Sequence, residues 1–210
     1  NNEELGFIPP DEFIPIAESA GLIDEIGLWV LEQVAQLMAE YPHLQFAVNA
    51  SSLQFNNSKL QDKIAQLIQQ QLIKADKLEI EITEGVLLEH SGPAQEQLHA
   101  IHDLGVSLSV DDFGTGYASL SYLKNCPVTT VKIDRSFVSD IPNDHDDMIL
   151  VKAIIAMAKG LNLAIIAEGV ETREQCDFIF KEGGLFAQGY FFSKPLTKTD
   201  FIHFLSLHIS

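Results

Sequence analysis

Ser107-Leu108-Ser109-Val110-Asp111 alternates small or acidic residues with aliphatic ones, and runs on into Asp112-Phe113-Gly114-Thr115-Gly116. Successive side chains of a strand point to opposite faces, so Leu108 and Val110 share one face. Ser107, Ser109 and Asp111 share the other. The same division recurs elsewhere in the chain. Phe46 and Val48 oppose Gln45, Ala47 and Asn49; Leu78, Ile80 and Ile82 oppose Glu79 and Glu81; Val131 and Ile133 oppose Lys132 and Asp134. A doubly wound sheet meets helices on both faces and would be apolar on both. A barrel has an outer wall packed on helices and an inner wall free to line a polar site. Active sites of such barrels lie at the C-terminal strand ends, where most of these polar residues fall. The expected fold class is α/β, a TIM-type (β/α) barrel.

Outward from that stretch, the periodicity predicts strands near Phe46–Asn49, Leu78–Ile82, Ser107–Asp111, Thr130–Asp134, Leu163–Glu168 and Leu185–Gln188. Helical spacing is expected after Pro9-Pro10, with Asp11 as the cap, and over Ile26–Glu40, Lys59–Gln71, Ala94–Asp103, Met148–Lys159, Thr172–Phe180 and Asp200–Leu207. Alternating strands and helices imply a mostly parallel sheet covered by helices. No linker, low-complexity tract or repeat interrupts the 210 residues, which are read as one domain. A TIM-type barrel has eight strands. With six in view, the chain is expected to be N-terminally truncated.

Charge narrows the function. Thirteen basic against 30 acidic residues give a net charge of −17, which excludes coating of a long nucleic acid. No apolar run approaches the roughly 20 residues needed to span a bilayer, and the start Asn-Asn-Glu-Glu is unlike a signal peptide. Cys126 and Cys176 lack metal or redox-pair spacing, which suits free thiols in a reducing compartment. A cytoplasmic domain without membrane contact of its own is expected. Most of the acids make a solvated surface. Carboxylates gathered at strand ends, however, can bind divalent cations and so attract a phosphate ester.

Asp111-Asp112 before a glycine turn is the strongest local signal, because adjacent carboxylates repel unless a cation intervenes. An Asp-rich turn capping the next helix is the plainer reading. Glu81 and Glu168, also at strand ends, favour a cation site. Lys132 faces inward by parity, and a buried lysine is costly unless paired. It either forms a structural ion pair with Asp134 or another acid, or stabilises charge on a phosphate and its attacking water. His99 and His102 lie three apart on a predicted helix and are read as surface residues.

The ordered motifs resemble the EAL family of cyclic-di-GMP phosphodiesterases. Gly6-Phe-Ile-Pro-Pro-Asp-Glu-Phe-Ile-Pro-Ile-Ala-Glu18 is similar to the segment that follows the family's Glu-Ala-Leu signature. Val48-Asn49-Ala50-Ser51, Glu81-Ile82-Thr83-Glu84, Asp111–Gly116, Lys132-Ile133-Asp134, Glu168-Gly169-Val170-Glu171 and Gln188-Gly189-Tyr190-Phe191 then follow in the family's order. The resemblance implies two Mg²⁺ or Mn²⁺ ions and hydrolysis of cyclic-di-GMP to the linear dinucleotide. Asn49, Glu81 and Asp111 resemble ligands of one ion. Asp112 resembles a ligand of the second, one of the two aspartates bridging the pair. Glu168 resembles the carboxylate that holds a metal-bound water, and Lys132 the lysine that positions water and phosphate. Glu84 would anchor the aspartate loop. Gln188, Glu171 and Asp134 would support the site or contact substrate, with Asp11 and Pro195 on a guanine-binding rim.

The family's Glu-Ala-Leu-Leu-Arg strand, which carries a further metal ligand, is not in this sequence. Its absence predicts weakened metal binding and impaired turnover by this chain alone, with an active intact parent. The alternatives are an inactive EAL domain that senses cyclic-di-GMP, or a scaffold that binds protein through the helix near Tyr117–Asn125. By resemblance, a homodimer and an upstream sensor or GGDEF-type domain are also expected, in a parent that a membrane anchor could tether.

Overall fold

The computed structural model describes residues 6, 8–87, 92–116 and 120–208, with the backbone alone at 120–122. Among them, six strands form a sheet in chain order: β1 (Phe46–Ala50), β2 (Leu78–Thr83), β3 (Ser107–Phe113), β4 (Thr130–Ile133), β5 (Ala164–Ala167) and β6 (Phe186–Ala187). The pairs β1–β2, β2–β3 and β5–β6 are parallel. Helices intervene: α1 (Pro10–Ser19), α2 (Ile23–Glu40), α3 (Lys59–Gln69), α4 (Glu84–Leu87), α5 (Pro93–Asp103), α6 (Leu120–Asn125), α7 (Arg135–Val138), α8 (His145–Gly160), α9 (Arg173–Glu182) and α10 (Lys198–His208). This is the expected parallel α/β plan. Two compact units divide the chain, residues 1–131 and 132–210, the boundary falling inside β4.

In the first unit the parity pattern becomes packing. Leu78, Ile80 and Ile82 on β2 and Leu108 and Val110 on β3 are all fully buried. Burying each such side chain contributes about 1.5–3 kcal/mol. Amphipathic helices supply the other layer: α3 buries Leu60, Ile64 and Leu67, and α2 buries Ile23, Gly27, Leu31, Ala35 and Met38 at helical spacing. The opposite face of β2 is buried as well, with Glu79 and Glu81 only 5% and 7% exposed. Their register partners on β3 are Ser107 and Ser109, small enough to leave room for carboxylates.

The second unit has its own core. Ile133, Val138, Ile141, Val151, Ile155, Ala158, Ile165, Ala167, Val170, Phe178 and Ile179 form one buried cluster. The start of α8 is fixed by Asp144, whose carboxylate accepts from the amides of Asp146 and Asp147. A reciprocal capping box of Thr172 and Gln175 starts α9.

Two local expectations are corrected. Asp11 does not cap α1: Pro9 is the extended residue before the helix, Pro10 takes the first turn, and no side chain caps it. Thr172, read as helical, is the N-cap of α9. The strand ends also retreat, with Asp134 and Glu168 just beyond β4 and β5. Of the proposed protein-binding helix, residues 117–119 lie outside the described residues, as does Phe7 of the first motif. Among the described residues, no helix is long and apolar enough to cross a membrane.

Candidate active site

In the first unit, neighbouring strands bring Asn49, Glu81 and Asp111 together. The β1–β2 register pairs Asn49 with Glu81, and Asp111 lies two residues beyond Ser109, the β3 partner of Glu81. One terminal atom of the Asn49 amide lies 3.3 Å from both Glu81 Oε2 and Asp111 Oδ2. With nitrogen on that side, the amide donates to both carboxylates. Turned over, it would present its carbonyl oxygen beside two carboxylate oxygens. Three convergent oxygens from three strands are a donor set suited to a hard divalent cation. Among the described residues, buried Ser109 Oγ has no hydrogen-bond partner. Thr130 Oγ1 reaches Glu79 Oε2 at 3.3 Å, a contact across the interior that sequence reasoning missed.

The loop after β3 is held by its own chemistry. Asp112 sits at φ 51°, a left-handed conformation uncommon outside glycine, asparagine and aspartate. Its amide donates to Asp111 Oδ1 at 3.2 Å, and its carbonyl accepts from the Thr115 hydroxyl at 2.9 Å. Glu84, at the start of α4 and only 6% exposed, closes the loop by accepting from the Gly116 amide at 2.8 Å. A Cβ at position 116 would lie 2.5 Å from Glu84 Oε2, so glycine is what admits the carboxylate.

In the second unit, Lys132 Nζ lies 2.8 Å from Glu168 Oε1. The Glu168 amide also donates to Ile133 O at 3.0 Å, which brings the two strand ends together. Asp134 accepts from the Ser136 amide at 2.9 Å and caps α7. Glu171 is exposed, its amide donating to Gln175 Oε1 at 2.7 Å. Gln188 is exposed at the end of β6, where its amide donates to Ala167 O and its carbonyl accepts from Val170 N. Pro195 is exposed in the second unit, and Asp11 in the first turn of α1 in the first unit. His99 and His102 are exposed on α5, as expected.

The site's legible and illegible parts differ in reach. Gln54 and Gln175 went unread in the sequence, although Ser51-x-x-Gln54 and Thr172-x-x-Gln175 have the spacing of a capping box.

With this geometry in place, the family is settled. The chain belongs to the EAL-domain family, whose model matches residues 1–195. It is 40% identical over 205 residues to the cyclic di-GMP phosphodiesterase NbdA of Pseudomonas aeruginosa, covering 95% of this chain and 26% of that protein. It is 37% identical over 202 residues to the cyclic di-GMP phosphodiesterase PdeR of Escherichia coli, covering 94% of this chain and 31% of that protein. Among solved structures, a PaMucR phosphodiesterase in complex with c-di-GMP superposes at TM-score 0.89. It is 36% identical, covering 95% of this chain and 83% of that one. The parallel α/β arrangement is thus that of EAL domains, which have a TIM-like barrel fold. The chain spans about a quarter of the length of the first curated relatives it matches.

Proposed function

We propose that this domain hydrolyses cyclic-di-GMP to the linear dinucleotide in bacterial second-messenger signalling. The observation that carries the reading is the convergence of Asn49, Glu81 and Asp111 within 3.3 Å contacts. It sits in a chain of the same family as two proteins named cyclic di-GMP phosphodiesterases. Asn49, Glu81 and Asp111 would hold one Mg²⁺ or Mn²⁺, and Asp112 with Asp111 a second. Such ions supply Lewis acidity and lower the pKa of a bound water.

The remaining roles belong to this chain's side chains. Glu168 accepts a hydrogen bond from the attacking water and orients its lone pair toward phosphorus. Lys132, paired with Glu168, attracts the phosphate and stabilises the charge gathering on its oxygens. The water oxygen bonds to phosphorus and releases a proton to solvent, the bond from phosphorus to the ribose 3′ oxygen breaks, and that oxygen takes up a proton from solvent and leaves as a hydroxyl. Glu84 keeps the Asp111–Gly116 loop in place. Gln188, Glu171 and Asp134 support or contact the substrate, with Asp11 and Pro195 on the guanine rim. The domain acts within a longer parent carrying a sensor or GGDEF-type domain, in the cytoplasm and as a homodimer.

Chromatographic detection of linear product from cyclic-di-GMP with Mg²⁺ or Mn²⁺ tests this, on this chain and on one extended N-terminally. Product supports the enzyme. Tight binding without product on either chain supports a receptor instead, and neither binding nor product a protein scaffold.

A further inference from the structure

Glu18 ends the Gly6–Glu18 motif and Ser51 ends Val48–Ser51, and the chemistry above uses neither. The two meet across the first unit: the Ser51 hydroxyl donates to Glu18 Oε1 at 2.6 Å. Hydrogen bonds to a carboxylate are among the shorter and stronger ones. Glu18 lies in the last turn of α1, which carries no basic residue. The helix dipole disfavours an acid there, so the serine, and not the helix, holds the carboxylate in place.

Ser51 stands two residues beyond Asn49, just past the end of β1. Among the described residues, β1 is an edge of the sheet and pairs with β2 alone. What the strand end gains beyond that pairing comes from the run that follows it, which is tied to α1 and α2. The Ser51 amide donates to Gln54 Oε1 at 3.0 Å, and Gln54 is buried against Gly27 of α2, where a Cβ would collide with its amide. Asn57 Nδ2 and Lys59 Nζ reach Asp24 Oδ2 of α2 at 3.2 and 2.8 Å. Of the ties to the two helices, Glu18–Ser51 lies nearest Asn49 in the chain.

Asn49 is the one neutral side chain of the three that converge with Glu81 and Asp111. A cation draws the two carboxylates by charge, whereas it draws an amide oxygen only by its dipole. Asn49 therefore depends most on being held by the protein, and groups behind a ligand orient it and tune affinity. We propose that Glu18 is a positioning residue: through Ser51 it fixes the end of β1 so that Asn49 stays opposite Glu81 and Asp111 for a cation to bind. The inference rests on the cation site of the phosphodiesterase reading above.

Calorimetric titration with Mn²⁺ compares the wild type, Glu18→Ala, Glu18→Gln, Ser51→Ala and the Glu18→Ala/Ser51→Ala double variant, each checked for folding by circular dichroism. Expected for Glu18→Ala is a loss of about tenfold in affinity. Ser51→Ala leaves the charge untouched and loses about as much, and the double variant loses little more than either single one. Glu18→Gln removes the same charge as Glu18→Ala but keeps an acceptor for Ser51, and recovers most of the affinity. A purely structural tie would lower the melting temperature and leave the Mn²⁺ affinity of the folded protein unchanged, which overturns the inference. Glu18→Gln as weak as Glu18→Ala assigns the effect to charge and overturns it too. If Glu18→Ala does not fold, Ser51→Ala decides, and wild-type Mn²⁺ affinity there overturns the inference. Mn²⁺ uptake that is absent from the wild type, or identical in Asp111→Asn, overturns the proposed cation site and this inference with it.

Discussion

Lys132 Nζ lies 2.8 Å from Glu168 Oε1, with the lysine side chain 3% exposed and the glutamate 17%. A cation so enclosed persists only because a carboxylate faces it, and removing one member of a buried pair costs about 3–5 kcal/mol. The pair is therefore structural and, in the reading proposed above, also the means of orienting water and phosphate. Lys132→Ala should lower turnover at least about a hundredfold and reduce stability by about 3 kcal/mol. Lys132→Met fills the space and forfeits the same rate. Product assays and urea denaturation on both variants check this, and full turnover in the methionine variant contradicts the role.

Asp111 meets Asn49 through a 3.3 Å contact. Asp111→Asn removes a charge from the proposed cation site while keeping shape. Calorimetric titration with Mn²⁺ should show affinity falling at least about tenfold, since an anionic oxygen donor to a hard cation is replaced by a neutral one. The melting temperature in the absence of added metal should stay close to that of the wild type.

Gly116 and Glu84 share a 2.8 Å hydrogen bond that secures the aspartate loop. Glu84→Gln retains one acceptor but not the charge, and should cost about 1 kcal/mol of local stability. Hydrogen exchange read at the Gly116 amide should accelerate roughly fivefold or more, with turnover falling. Gly116→Ala, whose Cβ would strike the carboxylate, should have the larger effect.

Gln175→Ala orphans the Glu171 and Thr172 amides and the Ser139 carbonyl together. A buried polar group left unmatched costs about 1–3 kcal/mol. Chemical denaturation should register a loss in that range. A neutral result would mean that water replaces the glutamine amide.

The strands were legible because period-two alternation reports burial directly: Leu78, Ile80 and Ile82 are fully buried as their spacing demanded. Inward-facing acids were legible by the same parity. Which partner an inward residue takes was not. Glu168, a partner of Lys132, arrives from the end of the next strand, beyond the reach of any local pattern. Asp11 misled because an aspartate near a helix start is a common cap, while the Pro9-Pro10 pair had already fixed the first turn.

Hard cations gathered by oxygen donors of neighbouring strands are central to the proposed chemistry. Crystals grown with Mn²⁺ and cyclic-di-GMP, measured for anomalous scattering, address it directly. A manganese peak within about 2.0–2.3 Å of oxygens of Asn49, Glu81 and Asp111 is the predicted result. Bound cyclic-di-GMP with no manganese at those three side chains would contradict it.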